Sequence, residues 1–313
     1  MKLDFLICAS PTQGFFSQIA FFRLCLDALG GYYADARLVA VFGDHRSESI
    51  PRSWIKYFDN IQVEWAHPIG AENLCYRAQH DRRFEIMRED ADLVFICDAD
   101  IAPLAPFDSL LCELVNKPAL AGTIAHYHFP FDNMISGPPV GWAELAKATI
   151  GKDIDMPFRY TLAPRSSPDR APFYINYGMF AGTPKLMSKF YLRDKELRDP
   201  AASLIGDYWA AQVSVALACA DLSLPVKVLP MRYNFPNDSV ADQMYPEEMS
   251  NIIFLHYLRT SKFSREKIFS SRHHFNRFLN SRLSGSNEYF RRYVENLTGG
   301  KYPFARKPLL KWW

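Results

Sequence analysis

"ADLVFICDADIAPL", residues 91–104, carries two carboxylates, Asp98 and Asp100, separated only by the small residue Ala99, just where the apolar run 93–97 stops. A short unbroken apolar run bounded by polar residues reads as a strand buried on both faces, and such strands belong to parallel sheets covered by helices. Two like charges at the end of that strand repel each other. The usual compensation is a divalent cation held by hard oxygen ligands.

Similar runs come before it: "LDFLICA" (3–9), "ARLVAVFG" (36–43) and "IQVEWA" (61–66), which makes "DLVFICDAD" (92–100) the fourth strand. Between them, "GFFSQIAFFRLCLDALGG" (14–31), closed by Gly30 and Gly31, and "AENLCYRAQHDRRFEIMRED" (71–90) read as helices. The alternation predicts an α/β fold with a mainly parallel sheet flanked by helices. Ligands of such sheets bind beyond the carboxyl ends of strands, where the dyad stands.

Residues 124–173 then break into aromatics, prolines and turn residues, and an irregular segment of that composition inside a compact domain is expected to be functional. Regular structure resumes with the strand "YINYGMFAG" (174–182) and the helix "TPKLMSKFYLRDKELRD" (183–199), where Thr183 can cap and Pro184 can take the first helical position. A helix over 207–221, the stretch "LPVKVLPMRYNFPND" (224–238) and the strand "NIIFLHY" (251–257) follow.

The 313 residues, 49% hydrophobic and 15% aromatic, suffice for one large domain with a C-terminal appendage. A net charge of +2 points to neither nucleic acid nor membrane, but residues 257–313 hold 13 Lys and Arg against 3 Asp and Glu, which leaves the rest of the chain acidic. Cys8, Cys25, Cys75, Cys97, Cys112 and Cys219 lie singly in apolar segments, as reduced, buried thiols would. "MKLDFLICAS" is too short and too interrupted by Asp4 for a signal peptide, and no run reaches the roughly 18 apolar residues of a membrane helix. The expectation is a cytoplasmic protein, soluble or peripheral at the inner membrane face.

Three further features bear on the dyad. Arg77, Arg82 and Arg83 on helix 71–90 could reach a phosphate or form a solvated face. Asn176 and Gly178 stand in an otherwise apolar strand, where an amide and a missing side chain are costly unless the strand bulges or something approaches its backbone. In "HYLRTSK" (256–262), His256 ends an apolar strand, as a structural residue or as a nitrogen ligand beside the dyad; a nitrogen ligand shifts preference from magnesium toward manganese.

A strand-borne D-x-D, an N-x-G strand and a late H-x-x-x-x-x-K, in that order, resemble the GT-A fold nucleotide-sugar glycosyltransferases over roughly residues 1–263. The resemblance is to the retaining glycosyltransferase family eight in particular, which includes glycogenin and bacterial lipopolysaccharide galactosyltransferases. It implies Mn2+ (or Mg2+) on Asp98, Asp100 and His256, with a UDP-sugar as donor. Ala9 and Ser10 of "CASPTQ" (8–13) would then meet the uracil and ribose, Arg83 (with Arg82 as its equal rival) the sugar phosphate, and Lys262 the diphosphate. Ala99 joins these donor-binding positions, Asn176 and Gly178 fall near the sugar, and Asp207 falls near the reacting carbon. The family's H-x-x-G-x-x-K has Arg259 in place of its glycine here, and the glutamine that should follow the acidic residue comes only at Gln212. "MRYNFP" (231–236) looks like the family's strand before the histidine.

What the resemblance implies is a metal-dependent transfer of a hexose from a UDP-sugar to a hydroxyl of a glycan or glycolipid, with retention of configuration. Residues 1–263 would be the catalytic domain, with 124–173 on the acceptor side and His126, His128, Trp142 and Arg159 as acceptor contacts. For inversion, Asp155, Asp207 and Asp238 are the candidate bases. Residues 264–313 would be a helical, basic and aromatic tail, and "KYPFARKPLLKWW" (301–313), ending in Trp312 and Trp313, suits contact with an anionic membrane. No nucleic-acid partner is expected. Phosphotransferases of the haloacid dehalogenase type also use D-x-D, but on their first strand and followed by a threonine, whereas Ile101 and Ala102 follow here. A sugar-nucleotide nucleotidyltransferase needs a glycine-rich phosphate loop, and "CASPTQG" offers one glycine. A non-catalytic carbohydrate-binding or scaffold protein is the reading from a different class.

Overall fold

The computed structural model of the chain describes residues 1–43, 49–67, 75–129 and 141–304. In chain order its first elements are β1 (Leu3–Ala9), α1 (Gln13–Leu29), α2 (Gly31–Ala34), β2 (Arg37–Phe42), β3 (Ile61–Trp65), α3 (Cys75–Glu85), β4 (Leu93–Asp98), β5 (Ile101–Pro103), α4 (Asp108–Asn116) and β6 (Leu120–Ile124). Then come α5 (Trp142–Ile150), β7 (Phe158–Arg159), β8 (Arg170–Ala171), β9 (Ile175–Gly182), α6 (Pro184–Ile205), α7 (Asp207–Asp221) and β10 (Val226–Val228). The chain closes with β11 (Phe235–Pro236), α8 (Ser239–Met244), α9 (Pro246–Met249), β12 (Phe254–His256), α10 (Arg272–Leu279) and α11 (Gly285–Thr298).

Seven strands form the central sheet in the order β10-β6-β9-β4-β1-β2-β3. The pairs β1–β2, β1–β4, β2–β3 and β6–β10 are parallel, and β9 runs antiparallel to both β4 and β6. The apolar strands are continuous because both faces are covered. Leu6, Val39, Val41, Val94 and Ile96 point into one buried cluster, and their alternating neighbours Phe5, Ile7, Leu38, Ala40 and Phe95 into another, as the two-residue period of a strand demands. The one charge inside β1, Asp4, is fully buried and held by Arg37 of β2 at 2.8 Å and by Arg88. Since Asp4 and Arg37 are register partners, this ion pair ties β1 to β2 in one alignment.

A second sheet, β11-β12-β5, stands apart from the first, and β5 is the direct continuation of β4 beyond the dyad. Antiparallel pairing of β5 with β12 sets His256 opposite Ile101, and the Tyr257 N–H donates to the Asp100 carbonyl at 2.9 Å. The chain leaves one sheet for the other between the two carboxylates, and the returning strand delivers the histidine to that same point.

Several boundaries differ from the sequence expectation. The described part of helix 71–90 ends at Glu85, after which the chain turns and Arg88 swings to Asp4. Helix 183–199 instead runs through Pro200 to Ile205, because Leu197, Ala201 and Ile205 continue its buried face on both sides of the proline. Thr183 sits at its cap position without a side-chain cap bond, and Pro184 takes the first turn. Segment 124–173 is not irregular throughout: it contains α5 and the β7–β8 pair, and Trp142 packs with Phe129 and Tyr174 while donating to Tyr160 Oη at 2.8 Å. Cys8 is half-buried and Cys112 exposed, whereas Cys25, Cys97 and Cys219 are buried and unpaired as expected. Among the described residues no helix is long and apolar enough to cross a membrane. Trp312 and Trp313 lie outside the described residues.

The helices α10 and α11 pack against α1 and β12 as part of the core. Phe275, Phe278, Phe290 and Val294 are buried with Phe21 and Cys25 of α1 and Leu255 of β12. Phe290 stacks on Tyr257 at 4.9 Å and meets Phe21 edge-on at 5.9 Å. Because Tyr257 neighbours His256, this cluster braces the second sheet. Phe290→Ala is expected to lower unfolding free energy by roughly 3–5 kcal/mol, read as a shift in the denaturant midpoint at unchanged slope.

Candidate active site

Along the carboxyl ends of β1 and β4 runs a cleft of about 610 Å³ whose walls include Ala9, Ser10, Arg83, Asp98, Ala99, Asp100, Asn176, Gly178 and His256. Of the residues expected there, the structure therefore brings together all but Asp207 and Lys262. Asp207 opens α7 and pairs outward with Arg77. Lys262 is exposed and lines a separate basic hollow with Lys267, His274 and Arg277. Arg265, three residues further on, lies in the cleft and forms an ion pair with Asp100.

Ligand atoms of Asp98, Asp100 and His256 all lie within 4.8 Å of one another. His256 Nε2 is 3.4 Å from Asp100 Oδ1 and 3.9 Å from Asp98 Oδ2. Two hard oxygen donors and one imidazole nitrogen, converging at the edge of an open cleft, fit a divalent cation that keeps further coordination positions for a ligand. Burial and the charge of Asp100 push the Asp98 carboxyl up to about 6, and His256, Arg83 and Arg265 oppose the rise. Burial acts on Asp100 too, but His256 and Arg265 outweigh it and hold its carboxyl below the usual carboxylate range. The dyad is thus a pair with divided character.

His256 is held from behind. Its Nδ1 lies 3.1 Å from Asn234 Oδ1, and Asn234 Nδ2 donates to Asn176 Oδ1 at 3.1 Å. Asn176 Oδ1 also accepts from the Gly178 N–H at 3.0 Å, and Asn176 Nδ2 reaches His126 Nε2 at 3.3 Å. His126 in turn is 2.8 Å from Thr161 Oγ1. Burial, followed by the nearby His256 and Arg259, lowers its imidazole to about 3, so it is neutral. A β-carbon at residue 178 would come within 2.4 Å of the His256 ring.

The opposite wall rests on a buried polar network. His80 Nε2 is 3.1 Å from Asp194 Oδ2, and its Nδ1 faces Tyr177 Oη at 2.6 Å and Arg83 Nη2 at 3.1 Å. Ser214 and Arg198 also contact Asp194. Arg83 is 3% exposed, sits over the Tyr177 ring at 5.8 Å, and its Nε and Nη1 have no protein partner. An unsatisfied buried guanidinium beside a cleft is a ready donor for an anionic ligand. Arg82, its rival in the sequence, turns away to Glu64. Gln79, whose Nε2 donates to the Ala9 carbonyl at 2.6 Å, supports the strand end. Tyr208 and Trp209 complete the rim, and Tyr208 is 75% exposed.

Sequence reasoning did not find Arg265, Asn234, His80 or the role of His126. Asn234 lies inside the "MRYNFP" stretch, and Arg265 comes three residues after Lys262; neither position signals which way its side chain points. Of the other acceptor candidates, His128 bonds its own neighbour's carbonyl, Phe129 O, at 2.7 Å, and Arg159 holds the carbonyls of Pro164 and Arg165.

No protein-family model matches the chain, and no curated protein does. Among solved structures, an active-site mutant of LgtC overlays with a TM-score of 0.53 at 13% identity, covering 99% of this chain and 98% of that one. The galactosyltransferase LgtC with donor and acceptor sugar analogs gives 0.48 at 13% identity, covering 83% of this chain and 88% of the other. Mouse xyloside xylosyltransferase 1 gives 0.48 at 11%, covering 84% and 100%. The end-to-end match to the LgtC mutant establishes the architecture: a GT-A type α/β fold, as expected from the sequence.

Burial, partly offset by its Asp194 contact, lowers the His80 imidazole to about 4. With the folded value below the unfolded one of about 6.5, the unfolded chain binds more protons between those limits, so stability falls as pH drops from about 6.5 toward 4. Thermal melts across that range should show the midpoint falling with acidity, with a shallower slope in His80→Gln.

Proposed function

We propose that the chain is a metal-dependent glycosyltransferase that moves a hexose from a UDP-sugar to a hydroxyl of a glycan or glycolipid, with retention. The observation that carries this reading is the convergence of Asp98, Asp100 and His256 on the wall of a cleft that also holds Arg83 with unsatisfied donors. The GT-A architecture supports it, since LgtC, named as a galactosyltransferase, has that fold.

Asp98, Asp100 and His256 would hold Mn2+ or Mg2+. Such a cation, when bound, neutralises charge that grows on a departing diphosphate. Ala9 and Ser10, at the carboxyl end of β1, offer backbone and a hydroxyl to the nucleoside end of the donor. Arg83 is positioned by His80 and Tyr177 to meet a sugar phosphate or hydroxyl, and Arg265 can exchange Asp100 for a phosphate oxygen, the role first expected of Lys262.

Asp98 and Asp100 are the only carboxylates lining the cleft among the described residues. Asp155 is exposed, Asp207 pairs with Arg77, and Asp238 caps α8 while pairing with Arg259. With no further carboxylate on the cleft wall among the described residues, the reading favours delivery of the acceptor to the face that the diphosphate leaves. The acceptor oxygen bonds to the anomeric carbon, the bond to the diphosphate breaks with its electron pair, and the acceptor proton passes to a phosphate oxygen. Exposed Tyr208 at the rim can stack on a sugar ring. Arg272, Arg277 and Arg292, on α10 and α11, are basic residues that an anionic leaflet could attract if the acceptor is lipid-linked.

Incubation with a panel of UDP-hexoses and Mn2+ should give metal-dependent donor hydrolysis with one of them. Asp100→Asn should lower that turnover by about 100-fold or more while the circular dichroism stays unchanged. Equal turnover in the variant refutes the assignment. A protein that UDP and Mn2+ fail to stabilise together fits the non-catalytic scaffold reading instead.

A further inference from the structure

We infer that Asn234, Asn176 and His126 form a one-directional hydrogen-bond relay that commits the His256 ring proton to Nδ1 and turns the Nε2 lone pair toward Asp98 and Asp100. The purpose given to the relay, presenting a nitrogen to a divalent cation, rests on the proposed function. Its direction does not.

The direction follows from one donor whose chemistry is beyond choice, the backbone N–H of Gly178. Because that N–H points at the Asn176 side chain at 3.0 Å, the amide atom there is the oxygen. The other amide atom is then the NH2 group, 3.3 Å from His126 Nε2, which must accept. His126 therefore carries its proton on Nδ1, where it donates to Thr161 Oγ1 at 2.8 Å, and the Thr161 hydroxyl passes its own hydrogen to the Ile124 carbonyl at 3.2 Å. That end of the chain is self-consistent.

At the other end, the second lone pair of Asn176 Oδ1 receives the Asn234 NH2 group at 3.1 Å. Asn234 must then present its oxygen to His256 Nδ1, 3.1 Å away, and the ring nitrogen must donate. Nε2 is left as the nitrogen that faces the carboxylates. Reversing any one amide would set oxygen against oxygen or lone pair against lone pair in a chain where Asn234, His256 and His126 are buried and Asn176 is half-buried, which the low local dielectric penalises. Which ring nitrogen of a histidine binds a metal is set by the bond that the other one makes, and here an asparagine makes it.

The relay also accounts for the N-x-G pattern on β9. Asn176 supplies the amide; Gly178 supplies the anchoring N–H and leaves the space in which the His256 ring lies, since a β-carbon would stand 2.6 Å from Nδ1. Asn176 makes its polar contacts within the protein, so it is a positioning residue.

The test reads the ring directly. In the full-length protein with 15N-labelled histidine, at a pH where the ring is neutral and with no metal added, His256 (assigned by loss of its signals in His256→Gln) should show a protonated Nδ1 and a bare Nε2. A protonated Nε2 with a bare Nδ1 overturns the proposal, and this wild-type measurement stands whether or not any variant folds. Asn234→Leu, similar in volume but unable to accept, should shift both ring-nitrogen signals and weaken calorimetric Mn2+ binding by about 10–100-fold. Unchanged signals and unchanged affinity in that variant overturn the proposal as well. A wild type that has the Nδ1–H ring but binds no Mn2+ confirms the relay and removes the cation reading.

Discussion

Antiparallel pairing of β5 with β12 is the constraint on which the candidate site depends. β4 could end in two carboxylates in any doubly wound sheet, and by itself that end would be a loop with unfavourable charge. By continuing at once into β5, the chain turns the dyad into the junction between two sheets, and the ladder Ile101–His256 then places an imidazole beside the carboxylates. The register matters residue by residue. A shift of one position along β12 would send the histidine to the opposite face and bring Leu255 or Tyr257 to the dyad.

That junction is braced from three directions. On one side α1, α10 and α11 close an aromatic cluster on Tyr257. Behind His256, the Asn234–Asn176–His126 contacts link β9 to the single helical turn Met231–Tyr233 that leads into β11. Across the cleft, Asp194 is fully buried and contacted by His80, Arg198 and Ser214, so the charge at the core of that wall is offset where it stands. Buried polar groups arranged this way contribute little net stability, but each has few alternative arrangements, and that restricts how Arg83 and His256 can point.

Much of the architecture was legible because burial on both faces of a parallel sheet writes itself as unbroken apolar runs. The strands at 3–9, 37–42, 61–65 and 93–98, and the helix at 207–221, stand close to where periodicity placed them. Pro200 misled because a proline inside a helix costs a hydrogen bond that a long apolar face can outweigh, and only packing decides that balance. The C-terminal segment read as an appendage because its charge differs from that of the remaining chain. Its apolar stripe, Phe275, Phe278, Phe290 and Val294, is what joins it to the core.

Within the site, the sequence by itself determined the chemistry on offer: two carboxylates at a strand end, a histidine ending a later strand, arginines on an intervening helix, and an amide and a glycine in an apolar strand. Those are local facts, set by residue type and by the period of the element that carries each residue. Tertiary structure alone decided which of them meet. Arg265 and not Lys262 reaches the dyad, Asp207 faces Arg77, and Asn176 turns toward Asn234 and His126. Such choices depend on contacts between residues 50 to 165 positions apart along the chain, and a long-range contact leaves no periodic trace in the sequence.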